Sequence, residues 1–377
     1  MLTKPPTCEW CPLFKDGQGF AGGEGPKDAK VVLVGEALGE TEAISGRPFV
    51  GGTGRMLRMM IQQGGLNERE VYITNAVKCR PPNNRPPTTD EINFCTKAYL
   101  WDELVAIKPN VVVPVGDIAL HTILPNSPKG ITNVRGSLFG SPWGKVLPIV
   151  HPSFVARGNP EFWGITVHDL LRVRSEQNDT NIRIPEERFH IRPSLDNIKR
   201  TVDLILEGNL AFAFDLETIG QREKLNILCF GFAWTPNDAM CIPLLRRGGY
   251  TYWESETDEE TAWGLILQLL SSTCRKITQN GFTFDLPVLM DVGARVEPPV
   301  VDTLVNHHVV ATELPHSLEF LTSVYTNYPY YKSSVKSAGG MLWAPDETIW
   351  LYNCRDCVAT YVADLGITEE MKEMGLL

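Results

Sequence analysis

Long apolar runs are missing from this sequence: no stretch of about 18 apolar residues occurs, which excludes an ordinary membrane-spanning helix. The opening, MLTKPPTCEWC, lacks the apolar stretch of a secretory signal, so a reducing compartment is expected. No internal repeat and no low-complexity tract is present, which argues against solenoids and disordered arrays. A basic excess is also lacking. The formal net charge is −10, which excludes a broad, nonspecific basic surface but leaves local basic clusters open. Part of the acidic excess would be neutralised if carboxylates hold a divalent metal. What remains is a globular composition, 43% hydrophobic and 21% charged, in 377 residues, enough for two domains with separate cores. In a reducing compartment the nine cysteines are read as metal ligands or core residues, not disulfides.

Residues 30–175 alternate between strand and helix patterns. Lys30–Gly35, Val71–Asn75 and Asn110–Gly116 are short apolar runs ending in or near a loop, as buried parallel strands do. Lys145–Val150 is a fourth strand candidate, and Gly54–Ile61 and Asp90–Ile107 carry apolar residues at helical spacing. The pattern predicts a three-layer α/β fold. Residues 176–193, polar and without apolar period, are expected to be a linker between domains 1–175 and 194–377. A helix near Ser194–Glu207 then leads into strand candidates at Leu210–Glu217 and Ile227–Trp234.

Several loops follow directly on strand candidates, where open α/β sheets place ligands. They carry Glu36 and Leu38, Phe49, Asn75, and His151-Pro152-Ser153, with Arg157 shortly after. Singly each is weak. In this order, with Cys8-x-x-Cys11, Lys78-Cys79-Arg80-Pro81-Pro82 and Cys95, they resemble the family 4 uracil-DNA glycosylases over about residues 5–175. From spacing alone, a four-cysteine zinc site would be the favoured reading. The resemblance implies instead a structural 4Fe-4S cluster held by Cys8, Cys11, Cys79 and Cys95. It also implies base flipping into a pocket. There the Asn75 carboxamide matches the N3 donor and O4 acceptor of uracil, and cytosine would leave buried groups unpaired. Phe49 would stack on the flipped base, and His151 would donate to the developing uracil anion, stabilising it by about 3–4 kcal/mol if it behaves as an oxyanion donor. Glu36 would act near the sugar and Arg157 would contact phosphate. One position departs from the family, which usually has proline where this chain has Leu38. Proline stiffens a turn, so its loss either loosens the loop or marks a domain that binds without cleaving.

The second half places Asp215 and Glu217 at i and i+2, on one face of a strand, where unpaired acids call for a cation. Asn280-Gly-Phe-Thr-Phe-Asp285 follows, and then Tyr352-x-x-x-Asp356 at helical i, i+4 spacing. Together with Val301-Asp302 and Leu314–Leu321, these resemble the tyrosine branch of the DEDD 3′–5′ exonucleases, a ribonuclease H-like α/β fold that includes the proofreading domains of family A DNA polymerases. The resemblance covers about residues 195–377. It implies that Asp215, Glu217, Asp285 and Asp356 hold two Mg2+ or Mn2+ ions about 3.5–4 Å apart. Tyr352 would orient the attacking water, and Asn280 would support the site or the terminal nucleotide. Cys354-x-x-Cys357 lies inside the Tyr352–Asp356 helix with no second pair nearby in sequence and is read as core, and His307-His308 is read as helix surface or core.

The expectation is therefore a bifunctional DNA-processing enzyme, acting on uracil-containing DNA and 3′ ends in the cytoplasm of a bacterial or phage-infected cell. Only 21 residues follow Asp356, so any polymerase would be a separate subunit. The alternative is a proofreading exonuclease subunit of a viral polymerase whose first half only binds DNA or senses uracil. RNA trimming is a third reading, because the DEDD acids do not by themselves select the sugar.

Overall fold

The computed structural model describes residues 4–127, 130–221, 224–246, 248–341 and 343–377. The chain divides into two compact units, Met1–Arg183 and Ile184–Leu377.

The first unit is built on a five-stranded sheet of β1 (Val31–Gly35), β2 (Val71–Asn75), β3 (Val111–Pro114), β4 (Phe139–Ser141) and β5 (Gly144–Val146), in the order β2-β1-β3-β5-β4. Every pairing is parallel except β4 with β5. Val32, Val34, Val112 and Val146 point to one face and pack against Leu104 and Ile107 of the helix Trp101–Ile107 and Ala119 and Ile123 of Asp117–Ile123. The alternate residues Val31, Leu33 and Val113 are equally buried, so both faces are covered and the strands read as unbroken apolar runs. Helix Phe162–Glu176 packs on β3 and on helix Gly52–Gln63. The helical stretch expected over 90–107 is continuous but widens into a π-turn at Thr96–Leu100, directly after Cys95. β4 has no counterpart in the sequence reading. It is three residues long and only half buried, too short to show a period.

The second unit has a six-stranded sheet ordered β11-β10-β7-β8-β9-β6. Its strands are β6 (Arg188–His190), β7 (Phe212–Gln221), β8 (Lys224–Ala233), β9 (Asp238–Pro243), β10 (Lys276–Thr278) and β11 (Val300–Asp302). β7, β8 and β9 are antiparallel neighbours; β10, β11 and β6 pair in parallel. The mixed sheet with flanking helices is the ribonuclease H-like arrangement. β6 lies inside the stretch read as linker, which corrects that reading: Arg188 grips Asp238 through Nε and Nη2 at 2.7 and 2.6 Å, and Arg355 grips Glu187 at 2.7 and 3.0 Å. Phe189 and Ile191 pack against the core on one side, but two apolar residues among charged ones are too short a period to mark a strand, and the ion pairs that anchor it join residues far apart in sequence.

The two faces of this sheet differ in kind. Phe212, Phe214, Leu216, Phe230 and Phe232 face the helices Leu195–Glu207 and Glu256–Leu270. Ser194 caps the first of these helices with a reciprocal Asn197 box. The opposite face carries small side chains, Cys229, Ala233, Ala239 and Cys241, against which the long helix Asp346–Glu373 lies through Trp350, Cys354, Cys357 and Val358. Cys354 and Cys357 thus do have a second cysteine pair beside them in space, and all four thiols are buried core residues. Asp215 and Glu217 alternate with Phe214 and Leu216 and face the long helix.

Candidate functional site

In the first unit, the parallel register sets Gly35 beside Asn75 at the ends of β1 and β2. A Cβ on residue 35 would lie 2.3 Å from Asn75 Oδ1 and 2.4 Å from Phe49 Cζ. Only glycine lets the amide and the ring converge there. Glu36, Leu38, Glu42, Phe49, Asn75 and His151 line a single cleft of about 350 Å3 that also includes Arg157.

Asn75 is 4% exposed, and among the described residues its side-chain amide makes no hydrogen bond, so both its donor and its acceptor are free for a guest. Phe49 adopts φ +52°, a conformation that non-glycine residues rarely take. Arg58 holds it there, Nε bonding Phe49 O at 3.0 Å and Nη2 bonding Pro48 O at 3.2 Å. Glu42, which the sequence reading did not single out, accepts from Gly51 N at 2.8 Å and ties its helix to the loop carrying Phe49. Its only sequence signal is an acid in a short helix beside a glycine loop, which is common. Leu38 is 3% exposed and packs into the cleft wall, so the segment that lacks the family proline is held by burial.

His151 Nδ1 accepts from Ser153 N at 3.1 Å and lies 2.8 Å from Ser153 Oγ. With Nδ1 as acceptor the ring proton sits on Nε2, which leaves an N–H donor for the cleft. Burial, and then the charge of Arg157, lower the His151 pKa to about 4, so the ring is neutral at pH 7. NMR of the ring nitrogens is expected to show titration near pH 4, with the proton on Nε2 above it; a midpoint near 6.5 would refute this. Because folding lowers the His151 pKa from 6.5, its contribution to stability is complete above pH 6.5 and is lost as pH falls towards 4. Burial raises the Glu36 carboxyl, and Arg157 partly offsets the shift.

Cys8, Cys11, Cys79 and Cys95 line one small cavity with Leu13, Val77 and Tyr99. Cys95 Sγ accepts from Lys78 N at 3.2 Å, and Cys8 Sγ lies 3.0 Å from Tyr99 Oη. Four thiols gathered in one buried cavity are a donor set that suits a zinc ion or an iron–sulfur group. Burial pushes the Cys79 thiol to about 12 and the Cys95 thiol to about 11, so ionising them together requires a cationic centre.

In the second unit, Asp215, Glu217 and Asp356 each place a carboxylate oxygen within 4.8 Å of the other two. That is the span of oxygens around a divalent ion about 2.0–2.6 Å from each. Asp285 stands just outside this group, its Oδ1 accepting from Leu216 N at 3.0 Å, on the strand between the first two acids. Burial raises Asp215, with Asp285 and Asp356 adding to the shift, and burial followed by Asp215 raises Glu217. Asp285 is lifted to about 7, mainly by burial. Such crowding is the signature of a site completed by cations. Asn353, absent from the sequence reading, donates Nδ2 to Asp215 Oδ2 at 2.9 Å. Gly231 makes room for it, since a Cβ there would lie 2.0 Å from Asn353 Oδ1.

Tyr352 projects from the same helix as Asp356, and burial followed by the Asp356 charge raises its hydroxyl well above the ordinary range. Asn280 is not among the clustered acids. It sits at φ +60° in a turn, its Oδ1 accepting from Thr283 Oγ1 at 2.6 Å. That turn is stapled by buried Asp302, which accepts from Asn280 N at 2.8 Å and Phe282 N at 3.2 Å and also caps the next helix through Leu304 N. His307 is buried and His308 exposed; His316 bridges them at 2.7 and 2.9 Å. Among the described residues, these three acids are the group whose ligand atoms all lie within 4.8 Å of one another.

A model of the uracil DNA glycosylase superfamily matches residues 23–171, and one described as 3′-5′ exonuclease matches residues 195–374. The chain is 39% identical over 170 residues to a type-4 uracil-DNA glycosylase of Thermotoga maritima, covering 45% of this chain and 88% of that protein. It is 40% identical over 156 residues to the type-4 enzyme of Archaeoglobus fulgidus, covering 40% and 78%. It is also 28% identical over 207 residues to a DNA polymerase of Bacillus phage SP01, covering 52% of this chain and 22% of that one.

Proposed function

The chain belongs to the uracil-DNA glycosylase superfamily through its first unit and carries a 3′-5′ exonuclease domain in its second, and from that premise we propose that it excises uracil from DNA and separately removes nucleotides from 3′ ends. The observation that carries the first activity is the convergence of Asn75, Phe49 and a neutral His151 on one cleft. An extruded uracil would stack on Phe49 and pair its N3–H and O4 with the free amide of Asn75. As the N-glycosidic bond breaks, charge collects on the base, and the His151 Nε2–H donates to it without first having to lose a proton. Glu36, partly buried, faces the same space and would offset positive charge developing at C1′, while Arg157 at the rim would meet a phosphate. The intact set favours cleavage over binding alone, and the packed Leu38 removes the reason to expect a loosened loop.

Cys8, Cys11, Cys79 and Cys95 would hold a 4Fe-4S cluster that pins the N-terminal arm to the loop after β2. In the second unit Asp215, Glu217, Asp285 and Asp356 would hold two Mg2+ or Mn2+ ions. Such ions activate the attacking water and stabilise the departing 3′ oxygen. The protein's own part is geometric: β7 and the long helix fix the acids, Asn353 orients Asp215, and Tyr352 orients the water. DNA is the substrate that both families act on.

The test uses the intact chain on one duplex with an internal uracil and on 5′-labelled single strands of matched DNA and RNA. Uracil-dependent abasic product and stepwise 3′ shortening that needs a divalent metal are the expected results. Shortening without base release at any enzyme excess would reduce the first unit to a binding module, and release of RNA ends in preference to DNA ends would reassign the second.

A further inference from the structure

The segment between the helices Leu318–Tyr325 and Asp346–Glu373 puts a lysine where the proposed exonuclease chemistry makes no use of one. Lys332 Nζ lies 2.6 Å from both Oδ1 and Oδ2 of Asp356 and 3.2 Å from Tyr352 Oη. Its side chain is only 13% exposed. The ammonium also sits over two aromatic rings, 5.3 Å from the centre of Tyr331 and 4.9 Å from that of Tyr352. Tyr331, buried, donates to Asp356 Oδ1 at 2.8 Å. Among the described residues, Lys332 is the one basic residue in ion-pair contact with the four acids. Its charge also reaches Asp215 and Glu217 and favours their ionised forms.

Both oxygens of Asp356 are therefore already engaged by a cation on the protein. A divalent ion shared by Asp215, Glu217 and Asp356 needs one of those oxygens at about 2.0–2.6 Å. It would then stand within a few ångströms of an ammonium in a site with little water to screen the repulsion. The flexible stem of lysine allows the head group to leave, which a fixed backbone donor could not do.

We propose that Lys332 is a resident counter-cation of the acid cluster, which holds the site together without metal and must leave Asp356 when the divalent ion binds. This rests on reading the cluster as the exonuclease metal site. The lysine stabilises the metal-free protein and weakens metal affinity, so its removal has opposite effects on the two.

The experiment measures Mn2+ binding by electron paramagnetic resonance, and melting temperature in EDTA and in saturating Mn2+, on the full chain without DNA. Lys332→Met and Lys332→Gln are compared with the unaltered protein, with Asp215→Asn as the control for site identity. Both lysine variants should bind Mn2+ about tenfold more tightly or better. They should melt lower than the unaltered protein in EDTA, and the deficit should vanish in Mn2+. Glutamine keeps a hydrogen bond to Asp356 without the charge, so it reports on charge even if methionine fails to fold. Unchanged or weaker Mn2+ binding, with an equal melting deficit in EDTA and Mn2+, would overturn the inference and leave Lys332 a structural tie. If the unaltered protein binds no Mn2+, or if Asp215→Asn binds it equally well, the metal-site reading fails first and the inference falls with it.

Discussion

Asn75→Ala is expected to lower kcat/KM for uracil release by about 30- to 10^4-fold while leaving 3′-end shortening within about twofold. The amide is the single buried group in the cleft that can satisfy a donor and an acceptor of the base at once. Its loss strands two polar atoms of uracil in a dry pocket, at about 1–3 kcal/mol each, and each 1.36 kcal/mol is about tenfold in rate. Single-turnover kinetics on a uracil-containing duplex would measure it. A loss of less than tenfold would mean that uracil is read elsewhere. Joint loss of both activities would point to unfolding, which circular dichroism would identify.

Asp215→Asn gives the mirror image. It removes one of the three oxygens that lie within 4.8 Å of one another, and the metal-assisted step should slow by about 10^3-fold or more, because such ions supply several kcal/mol of charge stabilisation. Uracil release should be unaffected. A second effect separates this variant from ordinary damage. Asp215 is buried beside Asp285 and Asp356, whose charges oppose its ionisation. A neutral amide relieves that repulsion, so the metal-free protein should melt about 2–4 °C higher for each kcal/mol relieved in a domain of this size. A nuclease loss accompanied by a lower melting temperature in EDTA would contradict the crowding described here.

Much of this was legible in the sequence, for identifiable reasons. β1, β2 and β3 are buried on both faces, so their valine runs stand out. The i, i+2 spacing of Asp215 and Glu217 and the i, i+4 spacing of Tyr352 and Asp356 carry geometry directly. What escaped leaves too little local signal. β6 is fixed by Arg188–Asp238 and Arg355–Glu187 pairs that join residues far apart in sequence. Lys332 and Tyr331 lie on an irregular stretch, and nothing local shows that it runs past Asp356. Glu42 acts through a backbone N–H nine residues away, and Asp302 acts by stapling a turn, roles that leave no mark on composition. The cysteine pair at 229 and 241 becomes a neighbour of Cys354 and Cys357 only when β8 and β9 meet the long helix. Pairwise chemistry between distant segments is the part that a linear reading could not supply.

Position 35 has a consequence for anyone who scans this protein by mutation. It offers no functional group, yet any side chain there would collide with the Asn75 amide and the Phe49 ring, to which the proposed function gives the reading and stacking of the base. In a library scored for both reactions, codon 35 should therefore cluster with Asn75 and not with the scaffold glycines: intolerant for base removal, indifferent for end trimming. A residue with no side chain of its own, set behind the cleft, would look by phenotype alone like a member of its chemistry.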